Sequence, residues 1–237
     1  MDPSRILHGA QYIKIHKLLP SNSSNNTYKL KRRIVGVHEN PKGIVVETES
    51  TLFNEKGDKY ATTISSSFNI GAKTNNEGRK YSKSISNLNF NHDIPNRKPD
   101  YSVKEQTSKD QAIIYRLSGD YNPLHIDPNM ASMAGFKSVI LHGLSTYGIA
   151  ARLIVNNVAN GNQKSLQEFN CRFSSPVRPG DRLLLNIWKL NESDILFEML
   201  NESNNNKLVL SKGFAKLSDD NNDDIKAVAK LWNNVFE

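Results

Sequence analysis

The sequence predicts an α+β fold of two antiparallel β-sheet repeats, with a long helix in the second. Three observations predict it. Residues from Gln11 to Ile70 alternate and turn like a four-strand meander. Residues Leu144, Tyr147, Gly148, Ala151, Ile154 and Val155 recur at helical spacing, giving a helix from Leu144 to about Asn157 with one buried face. Finally, Gln11–Pro20 aligns with Gln167–Pro176, and each copy is followed by three more strands.

The elements follow in chain order. Gln11–Leu19 is a strand with Tyr12, Ile13, Ile15 and Leu18 as its apolar members, and Pro20–Asn26 is a polar loop. Tyr28–Val37 leads to a turn at Asn40–Gly43. Ile44–Phe53 and Tyr60–Ile70 then flank a Lys56-Gly57-Asp58 hairpin turn. Gly71–Ser86 reads as an exposed polar loop, and the Pro-rich stretch Ile94–Asp100 reads as a bridge. The expected organisation is a first repeat over 1–93, a linker over 94–107 and a second repeat over 108–237.

In the second repeat, Ser108 and Gln111 form a capping-box pattern ahead of Ala112, Ile113, Ile114 and Leu117. Asp127 reads as an N-cap with Pro128 in the first helical position, and Gly135 as a stop. Strands are expected at Gln167–Ser174, Arg182–Leu190, Ile195–Asn201 and Lys207–Leu217, with a turn at Pro179–Asp181. Polar loops follow at 201–206 and 218–224, and Ile225–Phe236 has a short helical pattern. Two Leu-His-Gly triplets do not mark the repeat, since that at Leu7 runs into a strand and that at Leu141 opens a helix. The first repeat has ten residues ahead of its strands, too few for a helix like the second's. A sheet without its helix is expected to leave an apolar face uncovered.

Composition narrows the function. Hydrophobic content is 37%, and no run reaches the ~18–20 apolar residues that a membrane span needs. The single cysteine, Cys171, excludes a disulfide framework or a thiolate metal cluster and suits a reducing compartment. The first residues lack the apolar core of a signal peptide and the arginines of a presequence, and Asn-Val-Phe-Glu is not an S-K-L type ending. The net charge of +7 favours a polyanionic partner, either nucleic acid or a phosphate-bearing coenzyme. The densest basic cluster, Lys29, Lys31, Arg32 and Arg33, has no aromatic interleaving or finger motif; it reads as a solvated surface, not a nucleic-acid site. His8, His16, His38 and His92 lack metal-ligand spacing.

The chemistry concentrates between Tyr115 and Tyr147. Gly119–Pro123 is rich in turn formers, so Asp120, Asn122 and His125 fall on one irregular loop between two helices. That loop offers an acid/base pair, Asp120 and His125. It equally suits a plain turn in which Asp120 and Asn122 tie the backbone and His125 fills a half-buried spot; spacing alone leaves both readings open. Gly143 sits where the long helix begins. Free backbone N–H groups there, and the helix dipole, can polarise a thioester carbonyl that glycine lets come close. Gly143 otherwise only lets the chain turn.

The run YRLSGDYNPLHIDP, followed by AGF and ILHGLSTYG, resembles the signature of the 2-enoyl-CoA hydratase 2 family, MaoC-like hydratases that include the hydratase part of peroxisomal multifunctional enzymes. The resemblance implies a double hot-dog fold, two antiparallel sheets with a long central helix in the carboxy-terminal repeat. It implies hydration of trans-2-enoyl-CoA to (3R)-3-hydroxyacyl-CoA in fatty acid β-oxidation, with no metal or redox cofactor; coenzyme A is part of the substrate. Asp120, Asn122 and His125 would form the catalytic site. The Gly143 N–H would hold the thioester oxygen. His8, Gly9, Lys42, Tyr121, Pro123, Leu124 and Phe173 would complete the substrate contacts. In this family the amino-terminal half also carries a helix and accommodates the acyl tail, so the short front end bears on long-chain substrates. A homodimer and the peroxisome follow from the resemblance, with the cytoplasm as the alternative. The alternatives in function are another hot-dog thioester dehydratase or thioesterase, or a non-catalytic acyl-CoA-binding protein.

Overall fold

The computed structural model describes residues 6–23, 26–73, 81–82 and 92–218. The strands are β1 (Ile6–Ile15), β2 (Tyr28–Asn40), β3 (Gly43–Asn54), β4 (Lys59–Ile70), β5 (Tyr81–Ser82), β6 (Tyr101–Gln106), β7 (Leu166–Phe173), β8 (Arg182–Lys189), β9 (Asp194–Asn201) and β10 (Lys207–Leu217). The helices are α1 (Gln111–Tyr115), α2 (Pro128–Met133) and α3 (Gly143–Val158). The strands form one antiparallel sheet in the order β5-β2-β3-β4-β1-β7-β10-β9-β8-β6. The two expected sheets are therefore a single surface. They join edge to edge where β1 pairs with β7, from Ala10 opposite Arg172 to Lys14 opposite Glu168.

Three stretches differ from the sequence reading. Inside the linker expected over 94–107, Tyr101–Gln106 is β6, pairing with β8 at the sheet edge. Its alternation is hard to see because only Val103 packs on the core. The preceding prolines are pinned to β8: the Trp188 indole donates to the Arg97 carbonyl at 3.0 Å, and the Lys189 N–H donates to Asp100 Oδ2 at 2.7 Å. Within the expected loop at 71–86, Tyr81–Ser82 pairs with β2. The capping box does not form. Ser108 Oγ accepts the Asp110 N–H and α1 starts only at Gln111, with Asp110 in the cap position. By contrast, Asp127 caps α2 by accepting the Asn129 N–H at 2.8 Å, Pro128 opens it, and Gly135 leaves it at φ 86°. The terminal helical pattern at Ile225–Phe236 lies outside the described residues.

The core lies under α3. Ala150, Leu153 and Ile154 come to one side of α3 and pack on alternate residues of the second repeat: Leu183, Leu185 and Ile187 of β8, and Ile195, Phe197 and Met199 of β9. The Tyr147 hydroxyl donates to the Phe169 carbonyl at 2.6 Å, tying α3 to β7, and Phe169 stacks on Phe197 at 4.8 Å. Ile154 is fully buried at the centre of this packing. Ile154→Ala should cost about 2–5 kcal/mol, from lost transfer energy plus an unfilled cavity, read as a lower urea midpoint at unchanged slope.

Among the described residues no helix covers β2, β3 and β4. Strand register explains why the sheet tolerates this. On the α3 side, Arg32, Ser50, Thr63 and Ile13 lie in one cross-strand row, and Ile34, Thr48, Ser65 and Gln11 in another. Hydroxyl side chains thus take places that a covered sheet gives to aliphatic ones. The expectation of an apolar face is met in part, by the row Leu30, Leu52, Ala61, Ile15 at one end of the strands and by Val37, Val46 and Ile44 towards the other. A small cluster of Ala10, Tyr12, Val35 and Ile64 stabilises this half.

Candidate active site

The loop before α2 is built from its own side chains. Asn122 is extended at φ −55°, ψ 119°, as a residue before proline must be, and its Oδ1 accepts the Leu124 N–H at 3.1 Å. Asp120 Oδ1 accepts the Asn122 N–H at 3.1 Å. The Arg116 guanidinium donates to the Tyr121 carbonyl and lies over the Tyr121 ring at 5.1 Å. The turn reading is met by these bonds, and they leave part of Asp120 uncommitted. One oxygen of Asp120 holds the loop, while its Oδ2 lies 4.0 Å from His142 Nε2.

His125 is buried rather than half-buried, at 8% exposure. Its Nδ1 lies 2.8 Å from the Ile140 carbonyl, which can only accept, so Nδ1 carries the proton and Nε2 keeps its lone pair. The ring stacks on His142 with centroids 3.7 Å apart. His142, in turn, is the residue before α3; it is buried, lies 4.6 Å from the Tyr115 ring and places Nε2 3.3 Å from the Asp120 carbonyl. Gly143 follows as the first residue of α3, where the N–H has no intrahelical acceptor. A Cβ there would stand 3.3 Å from the Phe173 ring, so the glycine and the phenylalanine are in contact.

These groups open on one cavity. Its walls include His8, Asp120, Asn122, Leu124, His125, Gly143 and Phe173, with Phe136, Ile140 and Val177 deepening the apolar part. His8 reaches it from β1, held by Gln11 at 2.9 Å and packed on Phe173 at 4.8 Å. The structure does not bring every expected residue to the wall. Gly9 is the bulged residue beside His8, facing the Ser66 carbonyl. Tyr121 is 67% exposed, and neither it nor Pro123 lines the cavity. Lys42 sits in the β2–β3 turn, at the same sheet end as Ile6 but with β4 between β3 and β1. Sequence reasoning passed over His142, although a histidine next to Gly143 at the head of an amphipathic helix was the signal available.

Burial holds both His125 and His142 below the ordinary imidazole pKa; the Ile140 carbonyl and Asp120 oppose it at His125, and the His125 ring reinforces it at His142. Both rings are therefore neutral near pH 7. The unfolded chain takes up protons as pH falls past about 6.5, whereas the folded one does so only at lower pH, so acidification through that window destabilises the fold. Urea titrations should show stability lost below pH 6.5, with a shallower slope in His142→Phe. The donor atoms of Asp120, His125 and His142 lie within 4.8 Å of one another.

Residues 90–210 match the family model described as MaoC like domain. The chain belongs to the MaoC-like family. Residues 1–71 of this MaoC-like protein match a second model, MFE-2 hydratase 2 N-terminal domain. It is 41% identical over 189 residues to the peroxisomal multifunctional enzyme type 2 of Drosophila melanogaster, covering 80% of this chain and 31% of that one. It is 35% identical over 219 residues to a probable enoyl-CoA hydratase 2 of Dictyostelium discoideum, covering 90% of this chain and 70% of that one. The crystal structure of a MaoC-like dehydratase from Phytophthora capsici superposes with a TM-score of 0.78 at 32% identity, covering 93% of this chain and 74% of that one. The shared fold is the double hot dog. The MaoC-like chain thus spans less than a third of the Drosophila relative.

Proposed function

We propose that this MaoC-like protein adds water across the double bond of trans-2-enoyl-CoA thioesters, giving 3-hydroxyacyl-CoA. The convergence of Asp120, His125 and the Gly143 N–H on one cavity with apolar depth carries the reading. The neutral His125 presents an Nε2 lone pair, and Asp120 a carboxylate, to a water molecule held with Asn122. As the C3–O bond forms, one of the pair takes the water proton and a proton passes to C2, so the site ends in its starting state. Charge that grows on the thioester oxygen meets the Gly143 N–H, a kind of donor worth about 3–4 kcal/mol in other enzymes. Elimination of water runs through the same site in reverse, in keeping with the relatives named hydratases and dehydratase.

The (3R) configuration, β-oxidation as the setting, the peroxisome as the place and a homodimer as the assembly are parts of the same proposal. The hydratase 2 match over residues 1–71 and the relatives named peroxisomal support the setting and the place. The test is loss of enoyl-thioester absorbance on mixing purified protein with a short and a long trans-2-enoyl-CoA. We expect turnover of the short substrate. Turnover of the short one alone would tie long-chain capacity to the first repeat, where no helix lies among the described residues. No turnover of either by folded protein would sink the hydratase reading and leave an acyl-CoA-binding module.

A further inference from the structure

Two histidines cross between the elements that supply the chemistry. His125 belongs to the loop and donates to the Ile140 carbonyl, just ahead of α3. His142 stands at the head of α3 and reaches back to the Asp120 carbonyl of the loop, at 3.3 Å. The rings stack where they pass, at 3.7 Å with 31° between their planes. We propose that His142 is a positioning residue: it clasps the proton-handling loop to the start of α3 and so sets where Asp120 and His125 stand relative to the Gly143 N–H. The proposal rests on the hydratase reading; His142 borders the cavity, and the role assigned to it acts through the loop.

Three observations carry it. First, a carbonyl can only accept, so the Nε2 of His142 must be protonated to hold Asp120. Second, the Nδ1 of His142 is buried with no hydrogen-bond partner among the described residues. A second proton there would find no acceptor, and it would face His125 on one side and lie near Arg116, with only Asp120 opposing. The ring is therefore held in a single neutral tautomer with its donor aimed at the loop. Third, Asp120 is about half exposed; among the described residues its side chain accepts a hydrogen bond from the Asn122 N–H of its own loop, and its other oxygen comes no nearer than 4.0 Å to His142 Nε2. The clasp supplies the tertiary constraint that the carboxylate lacks. Hydration needs water, C3 and the thioester oxygen aligned at once, and a displacement of about 1 Å can cost 10²-fold in rate.

Two variants separate donor from ring. His142→Phe keeps a stacking ring and removes the donor; His142→Gln keeps an N–H donor and removes the ring. For His142→Phe we expect kcat on a short enoyl-CoA to fall about 10- to 100-fold. Affinity for a saturated acyl-CoA should stay within about twofold, and amide exchange over residues 120–126 should quicken. His142→Gln should recover most of the rate and the exchange protection. The clasp is overturned by a wild-type rate in His142→Phe, by equal losses in the two variants, or by a rate loss matched by lost acyl-CoA binding and a lower melting temperature. If the unaltered protein shows no turnover, the hydratase reading falls, and exchange over 120–126 alone decides the clasp.

Discussion

Asp120→Asn is expected to cut the proposed hydration about 10³-fold and to spare the fold. The substitution keeps an Oδ1 that accepts the Asn122 N–H, so the loop retains the bond that shapes it. The side chain is about half exposed, so little packing is disturbed and stability should change by about 0.5 kcal/mol or less. What is lost is the negative charge and the proton-accepting oxygen beside His125. Removing one positioned acid or base lowers rates by about 10²–10⁴, and a fall in kcat on the order of 10³ is expected here. Initial rates of enoyl absorbance loss, taken with a thermal melt, test both halves. A variant that melts like the parent and keeps a tenth of its kcat would remove Asp120 from the proton-handling pair.

The second large effect is Gly143→Pro. Proline is well tolerated in the first helical position, because the N–H it lacks has no intrahelical partner there. It also demands an extended residue before it, and His142 already has φ −58° and ψ 134°. Helix α3 should therefore form as before, with local adjustment of Phe173, which a Cβ at 143 would approach to 3.3 Å. The thioester oxygen loses its donor, and kcat should fall by about 10²–10³. Gly143→Ala serves as the control, since it adds a Cβ against the same ring and keeps the N–H. Equal rates in the Ala and Pro variants would show that the space at Gly143 matters and its N–H does not.

Local pattern made most elements legible. The strands from β7 to β10 were readable because each alternates with aliphatic residues facing one large core. Strand β6 was hidden because an edge strand with one core-facing residue, Val103, carries almost no alternation. The capping box at Ser108 failed because Ser108 Oγ is engaged by Asp110, a local bond that competes with the helix start. In the site, the loop residues and Gly143 were legible by type and spacing. Tyr121 and Pro123 share the motif but fall off the cavity wall: Tyr121 lies exposed beside Arg116, and the 3₁₀ turn over Pro123–His125 puts Leu124 and His125, not Pro123, on the wall.

The sequence by itself determined the α+β class, the repeat, the long helix and the residue types that can move a proton or bind an oxyanion. Those depend on periodicity and turn chemistry, which act over a few neighbouring positions. Tertiary structure decided three other things. The β1–β7 pairing made one sheet of two repeats and brought His8 to Phe173. The hydroxyl-rich rows of the first repeat emerged only from strand register, since residues from four strands share each row. Residues seventeen apart became a stacked pair, His125 on His142, because hydrogen bonds to two distant carbonyls hold the rings in place. Contacts of that kind depend on where the chain returns in space, and no local pattern encodes it.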